Sequence, residues 1–158
     1  MEFIQLTSLN AHIYEDSLTK LEHIFSPEYE TYAFVEDSNI IAYAILKTTS
    51  VIYDLKDKYI NKTFIKNIKI CKKAANNFRK ADICCLYNLC RLPGIKYVGL
   101  GIALVNKILN IKKQIYLATT VNKLYKYYLL NGFKPTNYFD IDCEGIWRKV
   151  LLKEELPV

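Results

Sequence analysis

The sequence predicts a mixed α/β fold in a single domain of 158 residues, and three observations carry that prediction. Apolar residues switch repeatedly along the chain between short strand-like runs and spacings of three and four, the period of a helix with one buried face. Residues 31–35 and 40–46 are rich in β-branched and aromatic side chains and flank Glu36-Asp37-Ser38-Asn39, a turn-forming cluster, which is the pattern of an antiparallel hairpin. After residue 80 strand and helix alternate, which points to parallel pairing of the two strands on either side of a helix entered at Gly99.

Each element has its own signal. Phe3, Ile4 and Leu6 make a first short strand, with Ser8 or Asn10 as the N-cap of a helix whose apolar face is Ala11, Tyr14, Leu18, Leu21 and Phe25 and which Pro27 ends. The hairpin follows. After residues 51–53, Phe64, Ile68, Cys71, Ala75 and Phe78 keep helical spacing with lysines between them, which predicts an amphipathic helix with a basic outer face. Residues 83–92 read as a buried strand, 99–110 as a helix, 114–119 as a strand and 122–131 as a short helix closed by Gly132. Residues 139–141 and 146–152 suggest a last strand pair around residues 142–145. The order is β-α-β-β-α-β-α-β-α-β-β, with no internal repeat, low-complexity tract or linker.

Composition narrows the class. A 51% hydrophobic share with 24% charged residues is that of a water-soluble globular domain, and no apolar run approaches the roughly 18 residues of a membrane span. Met1 to Leu9 contains Glu2 and no basic residue before its apolar positions, so a signal peptide is not expected and a cytoplasmic location is. Five cysteines (Cys71, Cys84, Cys85, Cys90, Cys143) lack metal-type pairs, and His12 and His23 are three helical turns apart, so no metal site is expected. Charge is segregated: residues 1–54 hold nine carboxylates against two lysines, whereas residues 55–80 hold nine cations against Asp57. Two oppositely charged surfaces follow.

The stretch that carries chemistry is R-L-P-G-I-K-Y-V-G-L-G-I-A-L, residues 91–104. It leaves a buried strand through Pro93-Gly94 and enters a helix at Gly99 and Gly101. Glycines there let a ligand approach the backbone, and the first-turn N–H groups have no intrahelical acceptor. The helix dipole and the Lys96 ammonium favour an anion, with a diphosphate as the natural guest. The spacing differs from the dinucleotide fingerprint, because Leu104 stands where a third glycine would be, and from a Walker loop, because no G-K-[ST] follows.

Pro93, Lys96, Gly99 and Gly101 fall on x-x-P-x-x-[RQ]-x-x-G-x-[GA], and in this the segment resembles the GNAT superfamily of acetyltransferases. Lys96 stands where the family has Arg or Gln. Downstream, Leu124, Tyr127, Tyr128, Gly132 and Phe133 match the later part of N-x-x-A-x-x-[FL]-Y-x-x-x-G-F, with Val121 where Asn is usual and Asn122 one place late. The resemblance covers about residues 84–133. It implies a mostly antiparallel central sheet of about seven strands, a parallel pair at its centre and helices on both faces.

It also implies a function: direct transfer of the acetyl group of acetyl-CoA to a primary amine of a small molecule, peptide or protein. The coenzyme would be held by Leu89, Cys90, Arg91 and Leu92 at the strand end, by Lys96, Tyr97, Val98, Gly99, Leu100, Gly101 and Ile102 at the loop and helix start, and by Asn122 and Tyr125. Tyr128 matches the tyrosine that faces the coenzyme sulfur and is the expected general acid. No carboxylate lies on the strand at 83–92, so deprotonation of the amine through water is expected. Glu28, Glu30, Glu36 and Asp37 are candidates to border the acceptor groove and attract a cationic amine. Expected partners are thus an amine-bearing acceptor or, in an alternative reading as a non-catalytic module, nucleic acid or an acidic partner bound by the basic helix at 62–80, or coenzyme A held as a sensed ligand. A homodimer is compatible with either, a membrane with neither.

Overall fold

The structure, a computed structural model, describes residues 1–14, 28–47, 53–54, 83–92, 98–119, 122–141 and 147–154. The helix expected to run on to Phe25, the basic helix at 62–80, Lys96, Tyr97 and the turn at 142–145 lie outside the described residues. The chain packs as two compact units interleaved in sequence, Met1–Thr48 with Cys85–Lys112, and Thr49–Cys84 with Lys113–Val158.

In the first unit, β1 (Glu2–Leu6), β2 (Tyr29–Glu36), β3 (Asn39–Lys47) and β5 (Ile83–Arg91) lie in that order, each pair antiparallel. The predicted hairpin is present, and its turn is tighter than the sequence suggested. Glu36 pairs with Asn39, and Asp37 (φ 50) and Ser38 (φ 63) both adopt left-handed conformations. This two-residue loop with two positive φ values has the twist that lets flanking strands stay paired. An irregularity between Phe34 and Val35 places Val35 opposite Ile40 and Phe34 opposite Ala42, so Ile41 is an extra residue of β3. One face of the sheet buries Leu6, Ala33, Val35, Ile40 and Ile45, with Ala11, Tyr14, Tyr29, Tyr43 and Leu92 packed on them. Helix α1 (Leu100–Lys112) packs on β3 and β2 and buries Leu104, Val105, Ile108 and Leu109.

The segment predicted as the first helix opens as a short 3-10 helix, Ala11–Tyr14, with His12 exposed. Asn10 does cap locally, but backwards: its carboxamide oxygen accepts the Thr7 N–H at 2.8 Å and its nitrogen donates to the Gln5 carbonyl. The side chain thereby closes the turn that leaves β1.

In the second unit, β6 (Gln114–Thr119), β8 (Trp147–Glu154), β7 (Lys134–Ile141) and β4 (Tyr53–Asp54) follow one another in antiparallel pairs. Strand β6 has the bounds the sequence predicted. Strand β7 begins five residues earlier than expected, because Pro135 and the irregular stretch between it and Phe139 hide a strand start: Thr136 leaves the alternation to donate its hydroxyl to the Val150 carbonyl at 2.8 Å. The two-residue β4 brings the described strands to eight against about seven expected. Cys84, at the start of β5, lies with its thiol 3.8 Å from the carbonyl of Gln114, the first residue of β6. Cys84 and Gln114 both belong to this second unit, so the first residues of β5 and β6 adjoin within it.

Helix α2 (Asn122–Leu130) ends in a closed cap. Phe133 donates its N–H to the Tyr128 carbonyl at 3.0 Å and Gly132 donates to Leu129 at 3.3 Å, with Gly132 at φ +91. These are the two bonds of a Schellman motif, and the Tyr128 and Phe133 rings, 5.2 Å apart and edge to face, supply its apolar contact. The Lys153 ammonium donates to the Asn131 carbonyl at 2.8 Å. A Cβ on Gly132 would stand 3.3 Å from Lys153 Cε, whereas one on Gly99 (φ +75) would meet nothing within 4 Å. Gly132→Ala is therefore expected to cost about 1–2 kcal/mol from backbone strain alone, plus displacement of Lys153. Thermal denaturation should show a melting temperature lower than that of Gly99→Ala, whose cost is conformational only.

Candidate active site

Among the described residues no side chain caps the start of helix α1. The Gly99 carbonyl accepts the Ala103 N–H at 3.0 Å while Gly99 itself holds φ +75, so Gly99 is the N-cap residue. Serine, threonine or aspartate at this position would cover the first-turn donors; glycine cannot. The N–H groups of Leu100, Gly101 and Ile102 have no intrahelical acceptor, and the residues before them are open, with Val98 95% exposed. Leu100 is buried and pins the turn to the core, whereas Gly101 and Ile102 are half-buried. A rigid helix end thus presents three aligned donors and the positive end of a 13-residue dipole.

The end of β5 leads toward this helix. Between Ile45 and Leu46 the pairing of β3 with β5 shifts, so Tyr87 is an extra residue and β5 bulges just before Asn88. Beyond the bulge Leu89, Cys90 and Arg91 face Ala44, Tyr43 and Ala42. The Leu92 N–H donates to the Ile41 carbonyl at 3.1 Å. Antiparallel pairs alternate between hydrogen-bonded and non-bonded, so Cys90 likewise exchanges its bonds with Tyr43, and the N–H groups of Leu89 and Arg91 point to the opposite edge. Of the four residues the sequence proposed here, two thus direct backbone donors away from β3 and two spend theirs on it.

Tyr43 and Cys90 are also side-chain neighbours. Burial first, then the hydrogen bond and charge of the Cys90 sulfur, hold the Tyr43 phenol above the usual tyrosine range. Nothing in the sequence marked this pair, since it depends on the register of two strands that are far apart along the chain.

In the second unit Tyr128 lies half-buried on α2, edge to face with Tyr127 as well as Phe133. Burial, with a smaller contribution from Tyr127, raises its ionisation above the ordinary value, so the phenol keeps its proton throughout the neutral range. Tyr125, one turn earlier, lies under the Lys149 ammonium, 5.1 Å from its ring centre. Asn122 is the first residue of the helix. The Lys153 ammonium, 5.9 Å from the Phe133 ring, is pushed to a lower pKa by burial.

Of the carboxylates expected to line an acceptor groove, Glu28 and Glu30 lie at the start of β2, apart from Glu36 and Asp37 at its far end. Glu30 is engaged by Lys112 at 2.7 Å and accepts the Tyr32 hydroxyl at 3.1 Å, which ties the last turn of α1 to β2. Glu36 and Asp37 stand at the hairpin tip, six or more residues along β2 from Glu30, roughly 20 Å away. On the face opposite Glu30, Thr31 is 2% exposed and its hydroxyl has no hydrogen-bond partner among the described residues, a burial that costs about 1–3 kcal/mol. Among the described residues no group of three His, Cys, Asp or Glu could hold a metal ion, and no helix is long and apolar enough to cross a membrane.

No family model and no curated protein sequence matches the chain. Solved structures do. An aminoglycoside 6'-N-acetyltransferase complexed with coenzyme A superposes with TM-score 0.57 at 12% identity, over 100% of this chain and 99% of its own. The ribosomal-protein-S18-alanine N-acetyltransferase of Escherichia coli gives 0.56 at 11% identity, over 97% and 92%. An acetyltransferase assigned to the GNAT family from Desulfovibrio desulfuricans gives 0.56 at 14%, over 97% and 98%. The chain has the fold of the GNAT acetyltransferases, as its two motifs implied; at these identities the likeness is one of fold.

The two raised tyrosines fix a pH dependence. Below the unfolded tyrosine value of about 10 the phenols are neutral in both states. Above it the unfolded chain ionises first, binds fewer protons than the fold, and stability falls as pH rises. Denaturant midpoints measured from about pH 9 to 11 should decline, and the slope should flatten in Tyr128→Phe and Tyr43→Phe.

Proposed function

We propose that this chain, acting as one domain over residues 1–158 in the cytoplasm, transfers the acetyl group of acetyl-CoA directly to a primary amine. The observation that carries the reading is the uncapped start of α1, where a glycine N-cap leaves the donors of Leu100, Gly101 and Ile102 to an outside anion. The fold supports the choice of guest, since an aminoglycoside acetyltransferase of the same fold was solved with coenzyme A.

The diphosphate lies on those three donors, with Lys96 and Tyr97 from the preceding loop and Val98 and Gly99 beside it. Leu89 through Leu92 follow the pantetheine arm, and the acyl carbonyl takes the N–H on the edge of β5 away from β3, that of Leu89. Such donors stabilise the negative charge that grows on the oxygen as the amine attacks. The new C–N bond forms as the C–S bond breaks; the amine gives its proton to water, and Tyr128 gives one to the departing sulfur. Asn122 and Tyr125 contact the coenzyme from α2. No step needs a metal, and Cys90 takes no covalent part.

The Tyr128 assignment separates cleanly from its structural role. The cap of α2 uses the ring, which phenylalanine keeps, and leaves the hydroxyl aside. Tyr128→Phe should therefore lower kcat by roughly 10²-fold with acetyl-CoA affinity and melting temperature nearly unchanged, read by thiol release, calorimetry and thermal scanning. Unchanged kcat would remove Tyr128 as the acid. Coenzyme-dependent thermal stabilisation with no thiol release from any amine would favour the sensing role instead.

The anion site has its own test. Proline is tolerated in the first helical turn, where its missing N–H breaks no intrahelical bond. Gly101→Pro should thus delete one donor and keep the helix. A charge-assisted bond of about 1.5–3 kcal/mol predicts a coenzyme Kd weaker by roughly 10- to 100-fold. An unaltered Kd in a folded variant would place the coenzyme elsewhere.

A further inference from the structure

The bulge at Tyr87 has a second effect: it aims an aromatic ring. Bulges redirect side chains, and here the Tyr87 ring, 58% exposed, meets that of Tyr29 at 5.4 Å with the planes tilted by 56°. The Lys47 ammonium sits 6.0 Å from the centre of both rings. Tyr29 and Lys47 are directly paired across β2 and β3. One step further along the same two strands, Thr31 pairs with Ile45 and Leu6, both members of the buried cluster that Tyr29 also packs against. Directly opposed residues share a sheet face. The unpartnered Thr31 hydroxyl is therefore on the face of the Tyr29, Lys47 and Tyr87 group, next to it and almost fully buried.

This group offers one cation, one unused hydroxyl donor and two ring surfaces. It suits a carboxylate on an apolar stem. It does not suit a second cation, which Lys47 would repel, and the nearest carboxylate on β2, Glu30, is already held by Lys112. Lys47 is three residues from Ala44, the residue opposite Leu89, so the group stands on the order of 10 Å along β3 from the strand edge where the acyl carbonyl is placed.

We propose that Tyr29, Thr31, Lys47 and Tyr87 form an acceptor subsite for a carboxylate, so that the amine acetylated by this chain carries a carboxylate on the same molecule, on the order of 10–15 Å from the amine. An ω-amino acid or a short peptide with a free chain end has this chemistry; a polyamine or an aminoglycoside does not. The proposal rests on acetyl transfer at Leu89.

The test uses 6-aminohexanoate, 8-aminooctanoate and 10-aminodecanoate, each against the alkylamine of equal length, with thiol release as readout. The best amino carboxylate should have a KM at least roughly tenfold below that of its alkylamine, the size of one charge-assisted bond. That ratio should fall toward one in Lys47→Met and be largely retained in Lys47→Arg. Thr31→Val should also reduce it while leaving the melting temperature equal or higher, because a buried unpaired hydroxyl has been removed; a purely structural Thr31 would lower the melting temperature and leave the ratio intact. Equal KM values for amino carboxylates and alkylamines would overturn the proposal.

A second arm works without the acetyl donor. Nuclear magnetic resonance titration of the whole protein with 10-aminodecanoate should move the Tyr29 and Tyr87 ring signals saturably, and decylamine should not. If no amine releases thiol although acetyl-CoA binds, the acetyl-transfer reading fails, and this titration still decides the subsite. Ring signals that ignore the amino carboxylate, or respond equally in Lys47→Met, would overturn it.

Discussion

Glycine at two helix ends sets the geometry on which the candidate chemistry depends. At the start of α1, Gly99 adopts a left-handed conformation and, having no side chain, leaves first-turn donors uncovered. At the end of α2, Gly132 adopts another and closes a cap whose apolar contact is Tyr128 on Phe133. One glycine opens a terminus and the other seals one. In both cases a residue with a Cβ would have to accept a backbone conformation that L side chains avoid.

This view gives the Y-x-x-x-G-F spacing a physical meaning. In a Schellman motif the residue donating the outer bond lies five positions after its acceptor, and the left-handed residue lies just before the donor. Tyr128, Gly132 and Phe133 occupy those places. A sequence pattern that resembles a coenzyme signature is thus first a rule for ending a helix, and the acid role proposed for Tyr128 falls on one atom, the phenol oxygen, which the cap does not require. The same burial that fixes the ring keeps that oxygen protonated. The cap and the proposed acid role therefore use different atoms of one side chain.

Much of the fold was legible because its signals are local. The hairpin turn, the bounds of β6 and the closure of α2 each follow from a few consecutive residues. The failures are equally local: Pro135 and the irregular Thr136 masked the start of β7, and a two-residue β4 has no period to detect. The site was legible only in outline. Gly99 and Gly101 could be read as a helix start, but which strand donors face away from β3 depends on the phase of the ladder, which the Leu92–Ile41 bond fixes and no composition or spacing encodes.

The acidic segment shows how far charge counting reaches. Residues 1–54 carry a surplus of carboxylates, and a cationic acceptor seemed to follow. Yet β2 distributes Glu30 and Glu36 to its two ends, and Lys112, 82 positions later in sequence, neutralises the first. Meanwhile Lys47, one of two lysines in that segment, is the cation that the bulge at Tyr87 brings under aromatic cover. Net charge over a segment sets its long-range field, but recognition occurs at a few ångströms, where pairing decides which charges remain available. On β2 and β3 the charge next to the buried Thr31 hydroxyl is positive, and the carboxylate subsite proposed for the acceptor rests on that residue rather than on the sum.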